Sequence, residues 1–389
     1  MEHVSHHPHA LLVVLFVAAL APLFNELPIR LRLPLVVLEL VFGMIVGPYG
    51  FDLIAAEGNL RLLSALGLSF LFFLAGMELD FSALKGPPLR LGALGWLLSI
   101  VVAMVATHAL AAAGLVTDPL LVAVALATTA IGTLLPILRE AGELDTRFGR
   151  FVLGAGALGE FGPIVLFSLV MASSEGGVMR RSALLVTFVL IALACAGLFL
   201  RIRPPHVVDV LARGLVSTNQ LPIRMSMLML GGLVVLADVL GLDILLGAFA
   251  AGTLVGLVAR GPGTEPFHEK LDAIGFGFLI PIFFVTSGAQ MDLPALFASA
   301  DSLARVPLFL ALLLLVRGLP ALLYRKELDG GDQRLLALFS ATSLPLIVVI
   351  TEVGKAAGRI QHANAAALVG AGILSVLIFP LIGLSLRKR

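Results

Sequence analysis

The sequence predicts an all-α protein that crosses a membrane many times. Of its 389 residues, 59% are hydrophobic and 13% are charged, and the mean hydropathy is +1.06. Apolar stretches long enough to span a bilayer recur along the whole chain between short charged or Gly/Pro-rich breaks. The net charge of +1 indicates no nucleic-acid partner, and the single cysteine, Cys195, excludes a disulfide framework or a thiolate metal site. We therefore expect no cofactor.

Thirteen stretches approach the roughly 17 to 25 residues that a transmembrane helix needs. In chain order they are 9–26, 33–49, 60–79, 90–114, 118–138, 150–173, 182–202, 222–240, 242–260, 271–291, 304–324, 334–355 and 363–386. Charged residues or Gly/Pro pairs separate each stretch from the next, which is why the chain is divided at these points.

The distribution of lysine and arginine supports this division. If successive loops alternate between the two sides, nineteen of the 26 basic residues fall on one side. The other side holds only Arg61, Arg180, Arg181, Arg305, Lys355 and Arg359. Because basic residues gather in cytoplasmic loops, we predict that the N-terminus lies outside and the C-terminus in the cytoplasm of an inner-membrane or plasma-membrane protein.

Thirteen helices divide into six, one and six. An offset of seven helices turns each partner upside down in the membrane, which is the arrangement of an inverted repeat. We therefore predict a single transporter domain over 1–389, with a first repeat at 9–173, a linking helix at 182–202 and a second repeat at 222–386.

Two stretches carry a pattern typical of discontinuous helices. The segments "ATTAIGTLLP" (127–136) and "ATSLPL" (341–346) each place Thr or Ser near a proline in the middle of a membrane helix. Proline removes a backbone donor, and hydroxyl groups can bond to the carbonyls that are freed. Broken helices at matching positions of two repeats indicate a transport site, whereas two ordinary proline kinks would be the structural alternative.

Two opposite charges are expected deep in the membrane. Glu160 stands in "ALGEFGPIVLFSLVM" (157–171), roughly 15 Å from the cytoplasmic end of its helix, and Arg317 lies roughly 12 Å from the cytoplasmic end of its own. An isolated charge at this depth costs at least about 2.5 to 3.5 kcal/mol, so the two are predicted to be partners. Such residues usually mark an ion or proton path, and a permanent salt bridge is the alternative.

At these residues the sequence resembles the monovalent cation/proton antiporter superfamily. The resemblance is to its second branch, which includes bacterial sodium/proton antiporters and the transmembrane part of potassium efflux antiporters. It is carried by "LPLVVLELVFGMIVGPYG" (33–50), "LGLSFLFFLAGMELD" (66–80), "ALATTAIGTLLPILREAGEL" (125–144), "LGLDILLGAFAAGTLVG" (240–256) and "FLIPIFFVTSGAQMDL" (278–293), in that order.

The resemblance implies a role for six residues. Glu160 takes the place of the acid that alternately holds a cation and a proton, and Arg317 that of the basic residue on the facing helix. Polar ligands around the ion are implied at two crossed helix breaks, at Thr128, Thr129, Thr342 and Ser343.

The chain departs from this family pattern in two ways. The family usually has an aspartate preceded by Asp, Asn or Gln, whereas this chain has Gly159-Glu160, which alters the fit of the ion and removes a second polar group. The chain also ends at "SLRKR", directly after its last helix, so no cytoplasmic nucleotide-binding domain is expected.

These features predict a homodimeric secondary antiporter, working by alternating access, that exchanges a proton for Na⁺ or K⁺. Because Arg317 cannot release a proton, Glu160 is the one proton carrier expected at the site, and exchange should be electroneutral. A cation channel and a sodium-coupled organic-solute symporter are alternatives that could use the same buried charges. An enzyme is not expected, since the sequence has no HExxH, GxSxG or phosphate-binding glycine loop.

Overall fold

The structure is a computed structural model, and the part of the chain that it describes is helical with short connections. It describes residues 9–26, 34–55, 57–78, 86–140, 142–144, 146–171, 183–188, 190–191, 194, 220–259 and 264–387. The predicted linking helix at 182–202 lies largely outside these residues, although 183–188 are helical.

Sixteen α-helices have full bounds in the described residues. They are α1 (Ala10–Asn25), α2 (Leu35–Val46), α3 (Gly58–Glu78), α4 (Pro87–Ala112), α5 (Pro119–Leu126), α6 (Ile131–Glu140), α7 (Arg147–Met171), α8 (Leu221–Val239), α9 (Ile244–Val258), α10 (Glu265–Ile274), α11 (Ile280–Ala289), α12 (Leu293–Phe297), α13 (Ala300–Gly318), α14 (Gly330–Ser340), α15 (Pro345–Ala356) and α16 (His362–Arg387). A π-helical turn (Gly275–Leu279) joins α10 to α11, and a 3-10 turn (Leu319–Tyr324) extends α13.

The predicted fold class is confirmed. Within the described residues, eight helical stretches are long and apolar enough to cross a membrane, and four shorter apolar stretches accompany them. Each of the twelve predicted stretches other than the linking helix contains a helix or a pair of helix halves. The number of crossings stays a prediction.

Several helix starts follow from a short acidic side chain. Asp118 accepts a hydrogen bond from the Leu121 backbone nitrogen at 2.9 Å, directly before Pro119 opens α5. Asp329 caps α14 in the same way. Because the first N–H groups of a helix have no partner within it, such caps fix where these helices begin.

The chain packs into two compact units. The first comprises Met1–Ala56, Phe81–Leu166 and Val285–Arg389, and the second comprises Glu57–Asp80 and Phe167–Phe284. Every candidate site residue lies in the first unit.

The second unit is built on close contact between α3 and α9. A Cβ atom added at Gly76 would collide with the Phe249 carbonyl, and one at Gly252 with the Phe73 carbonyl. The two backbones therefore approach as closely as glycine permits, which is typical of packing between membrane helices.

In the first unit an apolar cluster includes residues of α6 and α14, which are one half of each broken helix. Phe148 and Phe151 of α7 pack in this cluster with Phe339 of α14 and with Tyr324. The rings of Phe151 and Tyr324 pack edge to face, with their centroids 5.6 Å apart. At the opposite ends of these helices, Arg359 pairs with Asp118 at 2.6 Å. The discontinuous helices are thus held at both ends.

Candidate functional site

Both predicted helix breaks are present. The first separates α5, which ends at Leu126, from α6, which begins at Ile131. The second separates α14, which ends at Ser340, from α15, which begins at Pro345. Pro345 is the first residue of α15, a position where a backbone N–H group would have no partner within the helix, so its absence there carries no energetic cost. Pro136 instead lies inside α6, so the first break comes earlier than its proline, at Thr128 and Thr129.

The two breaks, at 127–130 and 341–344, are hydrogen-bonded directly to each other, and the region where they meet is called the crossing below. The Ala130 backbone nitrogen donates to the Thr342 carbonyl at 2.8 Å. The Thr129 hydroxyl donates to the Ser340 carbonyl, and the hydroxyls of Thr128 and Ser343 hydrogen-bond to each other. Some of the polar groups freed by breaking each helix are therefore satisfied by the other break, and all six of these residues are at most 5% exposed.

The hydroxyl protons at the crossing are all used in hydrogen bonds within the protein. Thr128 donates to the Ala125 carbonyl and Thr342 to the Leu338 carbonyl, while Thr129 is committed to Ser340. Because a hydroxyl has one proton and two lone pairs, Ser343 must be the donor to Thr128. Oxygen lone pairs are what remains available, and these are the ligands that hard cations prefer.

The Arg317 side chain hydrogen-bonds to both breaks and to two neighbouring helices. The side chain is 3% exposed, and each of its three nitrogen atoms donates a hydrogen bond. Nε donates to Thr129 Oγ1 at 3.0 Å and to the Ser340 carbonyl at 3.4 Å, Nη1 to Ser99 Oγ at 3.0 Å, and Nη2 to the Ala155 carbonyl at 3.1 Å. The planar guanidinium thus connects α4, α7, α13, α14 and the first break.

The charge of Arg317 is placed where the backbone favours it. Ser340 is the last residue of α14, so its carbonyl belongs to the negative end of a helix dipole. The four oxygen atoms that accept from Arg317 are all neutral, and they lower the cost of burial without cancelling the charge. A carboxylate close by would stabilise this arrangement further.

The helix segment before Glu160 contacts the crossing through Gly159. Pro163 has no N–H group to bond the Gly159 carbonyl four residues earlier, and that carbonyl instead accepts from the Thr129 backbone nitrogen at 2.9 Å. A Cβ atom at position 159 would overlap both Arg317 Nη2 and Thr129 Oγ1. A side chain at position 159, where the family pattern has a polar residue, would therefore collide with Thr129 as well as with Arg317.

Glu160 follows Gly159 directly and is half-buried in α7. The structure thus brings its backbone to the crossing together with Thr128, Thr129, Thr342, Ser343 and Arg317. The pairing of its carboxylate with Arg317 stays a prediction.

Sequence reasoning missed two serines that hold the site in place. Ser99 of α4 accepts from Arg317 and donates to the Gly95 carbonyl. Ser375 of α16 accepts from the Ser343 nitrogen at 3.0 Å and donates back to the Ser343 carbonyl at 2.9 Å. Each is a single polar residue on an apolar helix, which is common where membrane helices pack together and so carries little signal.

Known proteins share this fold and sequence pattern. The family described as "Sodium/hydrogen exchanger, transmembrane" matches residues 14–385. The putative Na⁺/H⁺ antiporter YjbQ of Bacillus subtilis is 28% identical to this chain, and the match covers 98% of this chain. This chain spans only 63% of the length of YjbQ. The probable Na⁺/H⁺ antiporter 3 of Methanocaldococcus jannaschii is 25% identical to this chain. That match covers 91% of this chain and 90% of the antiporter's length.

A solved structure matches nearly the whole chain. The sodium proton antiporter MjNhaP1 from Methanocaldococcus jannaschii, determined at pH 8, has a TM-score of 0.67 and 17% identity. The match covers 96% of this chain and 95% of that one, and at this identity it bears on the fold alone.

Proposed function

The chain belongs to the sodium/hydrogen exchanger family, and we propose that it is a secondary antiporter exchanging protons for a monovalent cation, not an enzyme. Na⁺ is the first cation to test, since relatives across most of the chain are named Na⁺/H⁺ antiporters. K⁺ is the second, because the oxygen ligands at the crossing suit either ion.

The observation that carries this proposal is the bonded crossing of the two helix breaks beside Gly159-Glu160. Hydroxyl and carbonyl oxygens and the Arg317 charge lie together there, next to the backbone that leads into the half-buried Glu160, and this supports the proposal. In this proposal the ionised Glu160 binds the cation with the help of Thr128, Thr129, Thr342 and Ser343, and the protonated Glu160 releases it. Competition between proton and cation for one carboxyl then gives exchange.

Arg317 has two roles in this mechanism. Its permanent positive charge keeps the Glu160 carboxylate ionised when no cation is bound. Its hydrogen bonds to Thr129 and Ser340 hold the two breaks next to each other. Access to Glu160 alternates between the two sides by movement of the crossed-helix bundle.

The same proposal includes the membrane arrangement. The repeats span 9–173 and 222–386 in opposite orientations around a linking helix at 182–202. The protein is a homodimer in an inner or plasma membrane, with its N-terminus outside. The support is the loop charge asymmetry, with nineteen basic residues on the proposed cytoplasmic side and six on the proposed outer side.

Purified protein in proteoliposomes containing a pH-sensitive dye tests this function. With an inside-acid pH gradient, addition of Na⁺ should collapse the gradient, and Li⁺, K⁺ and Rb⁺ added in turn would rank the cations. Proton movement that is the same with choline as with every alkali cation would exclude exchange.

Removing two hydroxyls at the crossing should weaken cation binding. We expect Thr129→Ala combined with Thr342→Val to raise the half-saturating Na⁺ concentration about tenfold, equivalent to about 1.4 kcal/mol, because two oxygen ligands are lost. Dye assays over a range of Na⁺ concentrations measure this. Thr129→Ser, which keeps the hydroxyl that bonds Ser340 and Arg317, is the matched control, and an unchanged half-saturation in the double variant would remove the breaks from the site.

Exchange should move no net charge. Arg317 stays protonated and Gly159 offers no second titratable group, so one proton is exchanged for one monovalent cation. A net charge would make the cation gradient depend on voltage, because moving one charge across 100 mV is worth about 2.3 kcal/mol. The steady-state Na⁺ gradient should therefore be the same at several potentials clamped with K⁺ and valinomycin. A gradient that follows the clamp would contradict one-to-one exchange.

A further inference from the structure

A small polar cavity lies in the first unit, apart from the helix crossing. It has a volume of about 20 Å³, which is room for one water molecule or one small ion. Leu40, Val348 and other apolar side chains form part of its wall. Its polar lining comes from Ser287, Asp292, Thr351, Glu352, Lys355 and His362.

Within the part of the chain that the structure describes, two oxygen atoms in this cavity have no hydrogen-bond partner in standard geometry. Glu352 Oε1 and Ser287 Oγ are both buried there, and Ser287 as a whole is 5% exposed. The Ser287 hydroxyl lies close enough to interact with the Glu352 carboxyl, although outside hydrogen-bond geometry. Buried oxygens left in this state cost about 1–3 kcal/mol each unless a ligand satisfies them.

The charged groups around the cavity favour a cation. Glu352 and Asp292 bring two carboxylates, and Lys355 brings one ammonium. The Lys355 ammonium donates to the Gln290 carbonyl at 3.1 Å, and Asp292 accepts from the Ala295 nitrogen as a helix cap. When both carboxyl groups are ionised, they outnumber the ammonium by one.

Thr351 adds a further oxygen to this wall. Its proton is committed to the Ile347 and Val348 carbonyls, which leaves the hydroxyl oxygen as an acceptor. Carboxylate and hydroxyl oxygens are the ligands that hard cations prefer.

We propose that Glu352 and Ser287 form a second binding site for a monovalent cation, on the outer side of the crossing, which a cation occupies on its way to Glu160. This proposal rests on the antiporter function. Glu352 lies on α15, seven residues beyond Pro345, and therefore about 10 Å along the helix from the second break. The helix ends at Ala356, four positions further along and on the proposed outer side. A cation held there is already partly dehydrated before it reaches the crossing.

Binding of Na⁺ to a variant that lacks the inner acid tests this site directly. Glu160→Gln protein, purified in detergent, should still unfold at a higher temperature in Na⁺ than in choline at equal ionic strength. Adding Glu352→Gln should remove that Na⁺-dependent shift. The proposal is overturned if Glu160→Gln alone shows no shift, or if the double variant keeps it.

Transport from each side gives a second, independent readout. In otherwise unmodified protein, Glu352→Gln should raise the half-saturating Na⁺ concentration on the outer side about tenfold and leave the inner side unchanged. Ser287→Ala should change the outer value in the same direction, and Glu352→Asp, which keeps the carboxylate, should change it less. Asp301→Asn removes an exposed carboxylate near the outer start of α13 and is the matched control.

The outcomes separate this proposal from the proposed function. Wild-type outer half-saturation in Glu352→Gln would overturn the second site while leaving exchange intact. Absence of cation-dependent proton flux in the unmodified protein would defeat the antiporter function, and the binding measurement would still decide whether Glu352 holds Na⁺.

Discussion

Replacing Glu160 by glutamine is expected to abolish cation-dependent proton flux while the protein still folds. The amide has nearly the same shape as the carboxyl, but it neither takes up a proton nor provides a negative charge for a cation. Both halves of the exchange are lost together. Dye-loaded proteoliposomes measure the flux, and size-exclusion chromatography in detergent reports folding.

Glu327→Gln is the matched control for this experiment. The Glu327 carboxylate pairs with Arg147 outside the crossing, so the substitution removes the same charge without touching the site. Exchange at the unmodified rate in Glu160→Gln would show that another residue carries the proton.

Replacing Arg317 by methionine is expected to damage both stability and transport. Methionine fills a similar volume but leaves the oxygens of Thr129, Ser99 and Ala155 without their buried donor. At about 1–3 kcal/mol for each unsatisfied group, the loss should reach at least about 3 kcal/mol of folding stability. The crossing also loses the charge that keeps Glu160 ionised.

Thermal unfolding of purified protein and flux in proteoliposomes together test this expectation. Arg317→Lys keeps the charge but not the planar fork, so it should lose less stability than Arg317→Met. Arg334→Met, at an exposed position of α14, should change neither measurement. Unaltered stability in Arg317→Met would show that these hydrogen bonds do not brace the crossing.

The breaks could be predicted because their chemistry is local. A Thr/Ser cluster near a proline within an apolar stretch favours a helix break, with a proline kink as the alternative, and both breaks are present. Their exact positions follow less directly, since Pro136 lies inside α6 and the first break is fixed by bonds to the second. Those bonds join residues more than 200 positions apart.

One feature of the candidate site was present in the sequence and could have been found. Gly159 stands four residues before Pro163, and this spacing predicts a free carbonyl at position 159. Its partner, the Thr129 nitrogen, belongs to another helix and could not be predicted. The contacts of Ser99 and Ser375 are equally nonlocal, and neither serine stands in a recognisable pattern.

The dependence of cation affinity on pH tests most directly whether one carboxyl at Glu160 binds the proton and the cation in turn. The measurement is the initial rate of Na⁺ uptake into proteoliposomes over a range of Na⁺ concentrations, repeated at several pH values. If one proton must leave for each cation bound, the half-saturating Na⁺ concentration should rise about tenfold for each unit of falling pH below the pKa of the carboxyl, with the same maximal rate. A half-saturating concentration that stays constant while the maximal rate falls would show that the proton and the cation bind at separate sites.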